Sequence, residues 1–527
     1  MITDGAGNNI RMQKLDLLLI NPGGRDQIYQ DLGAHLTAVE PPLWCRLIAG
    51  YVLDRGYTVR IIDSEAENMG PEAVALEAAA LNPRLVGMVV FGHQPSASTQ
   101  QMTGASAACR AIKAVNPQQR IIIAGGHVAA LPLQTMHEEA VDFACNGEGP
   151  VTICQLLDAL SAAQPDLSRV EGLVWRDNQP FQQIRNNPAA ALIQNLDSDF
   201  HGNVWHLLPM AKYRAHNWQC FGNLETRQPY ASIYTSLGCP YRCTFCCINA
   251  PFGVNRYRMR AAAQVVEEID SLYHHYGVKT FKIIDEMFVL NDRHVNGICE
   301  LLAAKPYAPE LNIWAYARVD TVKPSQLRLL RSAGIRWLAL GIESGSGHVR
   351  DGAEKSLDQA DIVDIVDQIK KADINVIGNY IFGLPDDDLE TMRQTLDLAK
   401  ELNCEFANFY SAMAYPGSPL HAMAVANHWK LPDAWSGFSQ HSFDCLPLCT
   451  EKVTAADVLR FRDAAFHEYF ESKQYLGMIA EKFGLETRLH IENMTRVRLR
   501  RKLLEEDEYA DQTPSRAFAA PSPTYGD

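Results

Sequence analysis

Residues 236–252 read SLGCPYRCTFCCINAPF, placing Cys239, Cys243, Cys246 and Cys247 within nine positions. The first three are spaced C-x-x-x-C-x-x-C. Thiols this close imply a disulfide knot, a zinc site or an iron–sulfur cluster. Most of the other cysteines, such as Cys109, Cys154, Cys299 and Cys404, stand singly in apolar segments. The opening MITDGAGNNIRMQK is polar, and the apolar run 15–20 is too short to span a membrane. A cytoplasmic protein is therefore expected, with reduced cysteines, which disfavours the disulfide knot. Structural zinc takes four ligands, often as two C-x-x-C halves, and no second half follows. Cys220 remains a distant candidate for the fourth. Three soft thiolates also suit a 4Fe–4S cube with one iron left open to a ligand.

Downstream, AAQVVEEIDSLYHHYG has the spacing of an amphipathic helix, with Val266, Ile269, Leu272, Tyr273 and Tyr276 on one side. Strand-like runs then alternate with helices: 279–288, 311–320, 337–346, 374–388 and 405–420. With PYASIYTSLGC before the cysteines they make six β/α units, predicting a partial (β/α)6 TIM-like barrel whose site lies at the carboxyl ends of its strands.

Upstream, five apolar runs (15–22, 57–63, 85–92, 119–126 and 141–149) alternate with helical stretches. LWCRLIAGYVLDRG is one such helix, expected to end at Gly56. The alternation predicts an α/β, flavodoxin-like (Rossmann-like), doubly wound parallel sheet. Its strand ends, NPGG, FGHQPSAS, AGGHVAALP and NGEGP, carry small residues that let a bulky ligand approach the backbone. No G-x-G-x-x-G follows the first strand, which disfavours a dinucleotide site. Between the two sheets, VEGLVWRDNQPFQQIRN reads as a hairpin turning at Asp177-Asn178.

The cysteine spacing on a loop after a strand, with Phe245 before the third cysteine, resembles the signature of the radical S-adenosylmethionine (radical SAM) superfamily. The resemblance implies that Cys239, Cys243 and Cys246 hold a 4Fe–4S cluster whose open iron binds SAM. SAM is then cleaved to a 5′-deoxyadenosyl radical. Cys247 has no cluster role in this reading. The resemblance places SAM contacts at Phe245, at Asp285 and Glu286 after the second strand, at Arg318 after the third, and at Glu343 and Ser344 in GIESGS after the fourth. It adds Gly378 and Gly383 in GNYIFGLP after the fifth, and YPGSPL resembles the sixth-strand ending.

A flavodoxin-like unit, a hairpin connector and such a barrel together resemble the cobalamin-dependent class. PPLWCRLIAGYVLDRGYTVRIID, AGGHVAALP and NGEGP carry that likeness. It implies cobalamin against Asn21, Pro22, Gly92, Ser96, Ser98, Gly125, Gly126, His127, Gly147, Glu148 and Gly149. The D-x-H-x-x-G motif that supplies a cobalt-ligating histidine in methionine-synthase-type domains is absent. His93 and His127 are therefore expected as supporting residues and not as cobalt ligands.

The expected units are a cobalamin-binding-like domain (12–165), a connector (166–228), the barrel (229–425), a mostly helical C-terminal segment (426–508) and a disordered tail (509–527). The stretches AADVLRFRDAAFHEYFES and RLHIENMTRVRLRRKLLEE read as helices, and RVRLRRKLLEEDE as a solvated face. His441, Cys445 and Cys449 are read as structural residues that could reach the site. The resemblance implies methylation of an unactivated carbon of a small molecule, with cobalamin as methyl carrier and an external electron donor such as flavodoxin or ferredoxin. The same cofactors would also serve a radical cyclisation or rearrangement. A non-catalytic cobalamin or metal-binding protein with structural zinc is a third reading. The net charge of −14 disfavours a nucleic-acid or membrane partner.

Overall fold

The computed structural model describes residues 15–33, 36–92, 94, 97–177 and 183–505. His93, Ser96, the tip of the hairpin at Asn178 and the tail 509–527 lie outside the described residues.

The first sheet has strands β1 (Leu17–Asn21), β2 (Val59–Asp63), β3 (Leu85–Val89), β4 (Ile121–Ala124) and β5 (Phe143–Cys145), joined in parallel in the order β2-β1-β3-β4-β5. This is the flavodoxin-like order, whose switch point falls between β1 and β3. Both faces of its strands are covered. Leu17 and Leu19 pack with the helices Leu43–Leu53 and Pro150–Ala159, whereas Leu18 and Ile20 pack with Pro71–Leu81 and Ala97–Val115. A strand buried on both faces is apolar at every position, which is why LLLI shows no alternation. The helix expected to run to Gly56 stops at Leu53, and Gly56 takes the positive φ of the following turn. The hairpin strands β6 (Leu173–Arg176) and β7 (Ile184–Asn186) add antiparallel to β5, so the connector extends this sheet.

The second sheet consists of β8 (Tyr230–Ile233), β11 (Thr280–Ile283), β12 (Asn312–Arg318), β13 (Ile335–Glu343), β14 (Asn375–Phe382) and β15 (Phe406–Ser411). They are all parallel and in chain order, an open six-stranded barrel. Between β8 and β11 a two-residue ribbon, β9 (Ser236–Leu237) with β10 (Arg258–Met259), closes the base of the cysteine loop. Gly238 at this base has a φ of +85°, and a Cβ there would lie 2.1 Å from the Arg256 carbonyl oxygen. Only glycine lets the two arms of the loop approach this closely.

An open barrel leaves two edges whose backbone groups need partners. At β8, Arg46 from the helix Leu43–Leu53 donates to the Ser232 carbonyl at 2.8 Å. At β15, Arg462 from the helix Ala455–Phe470 donates to the Phe409 carbonyl at 2.9 Å. The flavodoxin-like unit thus covers one edge and the C-terminal helices cover the other.

The C-terminal segment differs from the expectation in detail. A helix at Lys473–Phe483 precedes Leu485–Met494, and the second of these stops at Met494 instead of running through the basic stretch. Arg501 is 3% exposed and not solvated, because Asp463 and the Gln440 and Ser442 carbonyls take its donors.

Candidate functional site

The carboxyl ends of both sheets open on one cavity of about 340 Å3. The flavodoxin-like unit contributes Trp44, Phe91, Gly92 and Gly126 to its wall, and the barrel side contributes all four cysteines of the loop, Phe245, Glu286, Arg318 and Glu343. Trp44 joins the two walls. Its ring stacks on Phe91 with centroids 3.8 Å apart and lies 6.2 Å from Phe252 of the cysteine loop.

The loop is held from several sides. Asn249 clasps its first cysteine, its amide donating to the Cys239 carbonyl at 3.0 Å. The Thr244 backbone donates to the Ala353 carbonyl and accepts from Leu420, so the segments after β13 and β15 clamp it. All four thiols are free. Burial pushes the Cys239 thiol up to about 11 and that of Cys246 well above the ordinary range. Thiols in such a site are protonated until a metal takes the proton's place. The Arg318 guanidinium, 3.6 Å from the Cys243 sulfur and 3.9 Å above the Tyr241 ring, adds positive charge next to the loop. Among the described residues no group of three or more His, Cys, Asp and Glu is drawn together around a single ion position. Zinc needs four ligands on one centre, whereas a cubane gives each thiolate its own iron. Three thiols lining one cavity, with positive charge nearby, fit a cluster with an open iron.

The strand ends sort the other expected residues. Glu286 faces the cavity and accepts from the Gly238 backbone at 3.2 Å; burial raises its carboxyl to about 8. Asp285 does not line the cavity. The Thr235 backbone and the hydroxyls of Thr235 and Ser236 all donate to its carboxylate, which makes it a brace under the cysteine loop. Glu343 lines the cavity at a φ of +66°, just past a register shift in β13, and pairs with Lys355 at 2.5 Å. A non-glycine residue in this region is uncommon and is held by its surroundings. Ser344 lies behind the wall, with its hydroxyl at 3.0 Å from that of Thr395. Gly378 and Gly383 are also outside the cavity: a Cβ on the first would meet Tyr380, and one on the second would meet Val458.

On the flavodoxin-like side, Gly92 and Gly126 are the expected cobalamin residues that line the cavity among those described. Asn21 donates to Asp63 at 2.8 Å, and Asp63 also accepts from Tyr213. Pro22, beside Asn21, is buried. Ser98 donates to the Val90 carbonyl and accepts from the His127 backbone at 2.8 Å. A Cβ on Gly125 would strike the Val90 carbonyl. Glu148, with Gly147 and Gly149 beside it, is a buried partner of Arg258 at 2.6 Å, tying the sheet to the loop's base. His127 is buried with its ring edge-to-face on Trp435, and burial lowers it to about 3. It stays neutral, and it does not line the cavity.

Sequence reasoning missed Lys355, Asn379, Tyr410 and Ser411, all on the cavity wall. His441 and Cys247 line it too, whereas Cys445 and Cys449 do not. Lys355 and Glu343 meet over the bare backbone of Gly341, and a Cβ there would make their side-chain ends shift. A Cβ at Gly341 would lie 2.4 Å from Lys355 Nζ and 2.5 Å from Glu343 Oε1. Because Glu343 is an expected SAM contact, Gly341→Ala, which shifts this pair, is expected to weaken SAM binding by no more than about tenfold, the loss of one charged contact. Equilibrium dialysis of labelled SAM against the reconstituted protein checks it.

Residues 233–399 match the radical SAM superfamily and residues 29–157 match the B12 binding domain. An uncharacterised methyltransferase of Pyrococcus horikoshii, PH0819, is 30% identical over 429 residues, spanning 81% of this chain and 87% of the relative. The anaerobic magnesium-protoporphyrin IX monomethyl ester cyclase of Cereibacter sphaeroides is 25% identical over 74% of this chain and 61% of its own length. Among solved structures, the radical SAM methyltransferase TsrM of Kitasatospora setae, with cobalamin and a 4Fe–4S cluster bound, aligns with a TM-score of 0.63. It is 18% identical and the match covers 87% of this chain and 89% of that one, a likeness of fold.

Proposed function

Because the chain belongs to the radical SAM superfamily and to its class with a B12-binding domain, we propose that it is a cobalamin-dependent methyltransferase acting on a small molecule. The observation that carries this reading is the single cavity shared by the cysteine loop and the strand ends of the flavodoxin-like sheet. Cofactors on both walls would face one another across it, close enough for a substrate carbon to meet both. When bound, the cluster supplies the electron that cleaves SAM, and cobalamin carries the methyl group.

The chain's own residues would hold and align these groups. Cys239, Cys243 and Cys246 are the proposed cluster ligands. Phe245, Glu286, Arg318 and Glu343 are the expected residues that reach the cavity, and we place SAM among them. Asp285 and Ser344 hold the loop and strand end from behind. Gly92 and Gly126, next to the Trp44–Phe91 stack, offer cobalamin a flat apolar wall with little side chain in the way. An electron must come from outside, and a flavodoxin or ferredoxin is the proposed donor. Among the described residues, no helix is long and apolar enough to cross a membrane.

The resemblance to a cyclase favours a second reading, in which the same cofactors serve a radical ring closure without methyl transfer. The two are separated by anaerobic reconstitution with iron, sulfide and hydroxocobalamin. About four irons and one cobalt per chain are expected. Turnover that gives S-adenosylhomocysteine together with 5′-deoxyadenosine supports methylation. Deoxyadenosine alone supports ring closure, and zinc in place of iron would refute both.

A further inference from the structure

The radical SAM reading places one requirement outside the cavity: an electron has to reach the cysteine loop from a carrier. Electron transfer between proteins weakens steeply with distance, so the carrier has to seat on the outer face of that loop. The chain carries a net charge of −14, yet no Asp or Glu occurs between Glu225 and Glu267, a stretch that holds Arg227, Arg242, Arg256, Arg258 and Arg260. Three of these arginines are committed to the fold. Arg258 pairs with buried Glu148, Arg260 pairs with buried Glu268, and Arg227 donates to the Ala215 and Thr37 carbonyls. Arg242 and Arg256 are exposed and form no ion pair among the described residues.

Arg242 stands between two of the proposed ligands, Cys239 and Cys243. The Asn255 amide donates to the Tyr241 carbonyl at 3.2 Å, and the Asn249 amide donates to the Asn255 side chain at 3.0 Å. These bonds tie the two arms of the loop together. They set Arg242 and Arg256, each the next residue along, on adjoining surface. Val254, on the same arm as Arg256, is 41% exposed and adds apolar area. Carboxylates do approach from neighbouring segments. Asp320 is held by Arg318 at 2.9 Å, and Asp351 and Glu354 flank Ala353, which meets the loop at Thr244. They border the loop and are not part of it.

We propose that Arg242 and Arg256 form the docking face for a small acidic electron-carrier protein. The proposal rests on the radical SAM reading and names the partner of that site. In each encounter the carrier's reduced centre gives up one electron and the bound cluster takes it, with no proton or group transferred. An acidic carrier is repelled by an acidic chain as a whole and attracted at this face, so the field turns the encounter toward the loop. Redox complexes of this kind are small and short-lived, which suits two cations beside a little apolar surface.

The test compares the reconstituted holoenzyme with its double variant Arg242→Glu, Arg256→Glu. SAM cleavage is driven by a reduced flavodoxin, by a reduced ferredoxin, or by reduced methyl viologen, a small cation that needs no docking face. The unsubstituted protein should saturate with at least one of the two carriers, and that rate should fall as salt rises. The variant should lose at least about tenfold in kcat/KM for that carrier and keep at least about half its rate with methyl viologen. Affinity for the oxidised carrier, read by fluorescence anisotropy without any SAM chemistry, should fall by the same factor. Unchanged carrier kinetics and affinity in the variant overturn the proposal. Equal losses with carrier and methyl viologen overturn it too, and so does the absence of saturable binding by either carrier. Failure of SAM cleavage with every reductant counts against the radical SAM reading itself, and the anisotropy then still decides the docking face.

Discussion

Replacing Cys243 by alanine is expected to reduce SAM cleavage to background and to remove most of the reconstituted iron. In the proposed assignment Cys239, Cys243 and Cys246 would hold the cluster between them, and losing one of three ligands would release it. The loop offers a neighbouring thiol, Cys247, but it is poorly placed to substitute. Cys247 lines the cavity as the other three do, but it adjoins Cys246 and falls outside the C-x-x-x-C-x-x-C spacing. Its Cβ also lies against the Gly417 turn that follows β15. Reaching the position vacated at Cys243 would mean crossing the loop from the far side of Cys246. Cys247→Ser is therefore the informative control, and it should keep iron and SAM cleavage near those of the unsubstituted protein. Iron content and 5′-deoxyadenosine formation measured side by side check both variants. Full SAM cleavage by Cys243→Ala would reject the ligand assignment.

The cysteine loop was legible because ligand spacing is a local property, carried by four residues in nine positions. The two sheets were legible because alternation of apolar runs and helices leaves few topologies. What sequence could not separate were neighbours with identical chemistry. Asp285 and Glu286 both end β11, and either could meet a ligand. The difference is made by Thr235 and Ser236, 50 and 49 positions away, whose donors capture Asp285. Glu343 was visible in GIESGS, but its partner Lys355 was not. That pairing forms beside a register shift in β13 and over the bare backbone of Gly341. Arg501 was misread for a related reason. It belongs to a basic run that looks solvated, and only the fold brings Asp463 to it from 38 residues away. Other parts of the cavity wall show the same limit. Tyr29, Ser411 and His441 share no motif, and they meet because the first and last thirds of the chain close over the barrel mouth.

That closure rests on buried charge, and Glu268→Gln is expected to disturb it most. Glu268, on the helix Ala262–Tyr276, is 3% exposed and accepts from Arg46 at 3.2 Å, Arg260 at 2.6 Å and the Trp205 indole at 3.1 Å. Arg46 comes from the flavodoxin-like unit, with its guanidinium 3.6 Å above the Trp205 ring. One carboxylate is therefore shared by two guanidiniums from the two halves of the molecule. The glutamine side chain has nearly the same shape but takes away the carboxylate paired with Arg46 and leaves Arg260 with Asp197 at 3.9 Å. Breaking a buried pair in this way costs about 3–5 kcal/mol. The loss should fall on the seam and not evenly over the chain, because Arg46 also holds the Ser232 carbonyl on the β8 edge. The barrel's own strands keep their ladders, and the cysteine loop keeps its clamp after β15. Glu268→Gln should therefore lower the first thermal transition by several degrees and reduce bound cobalt more than bound iron. Calorimetry with metal analysis of one preparation measures both. A fall in iron equal to that in cobalt would show that the seam supports the cysteine loop as directly as it supports the cobalamin wall.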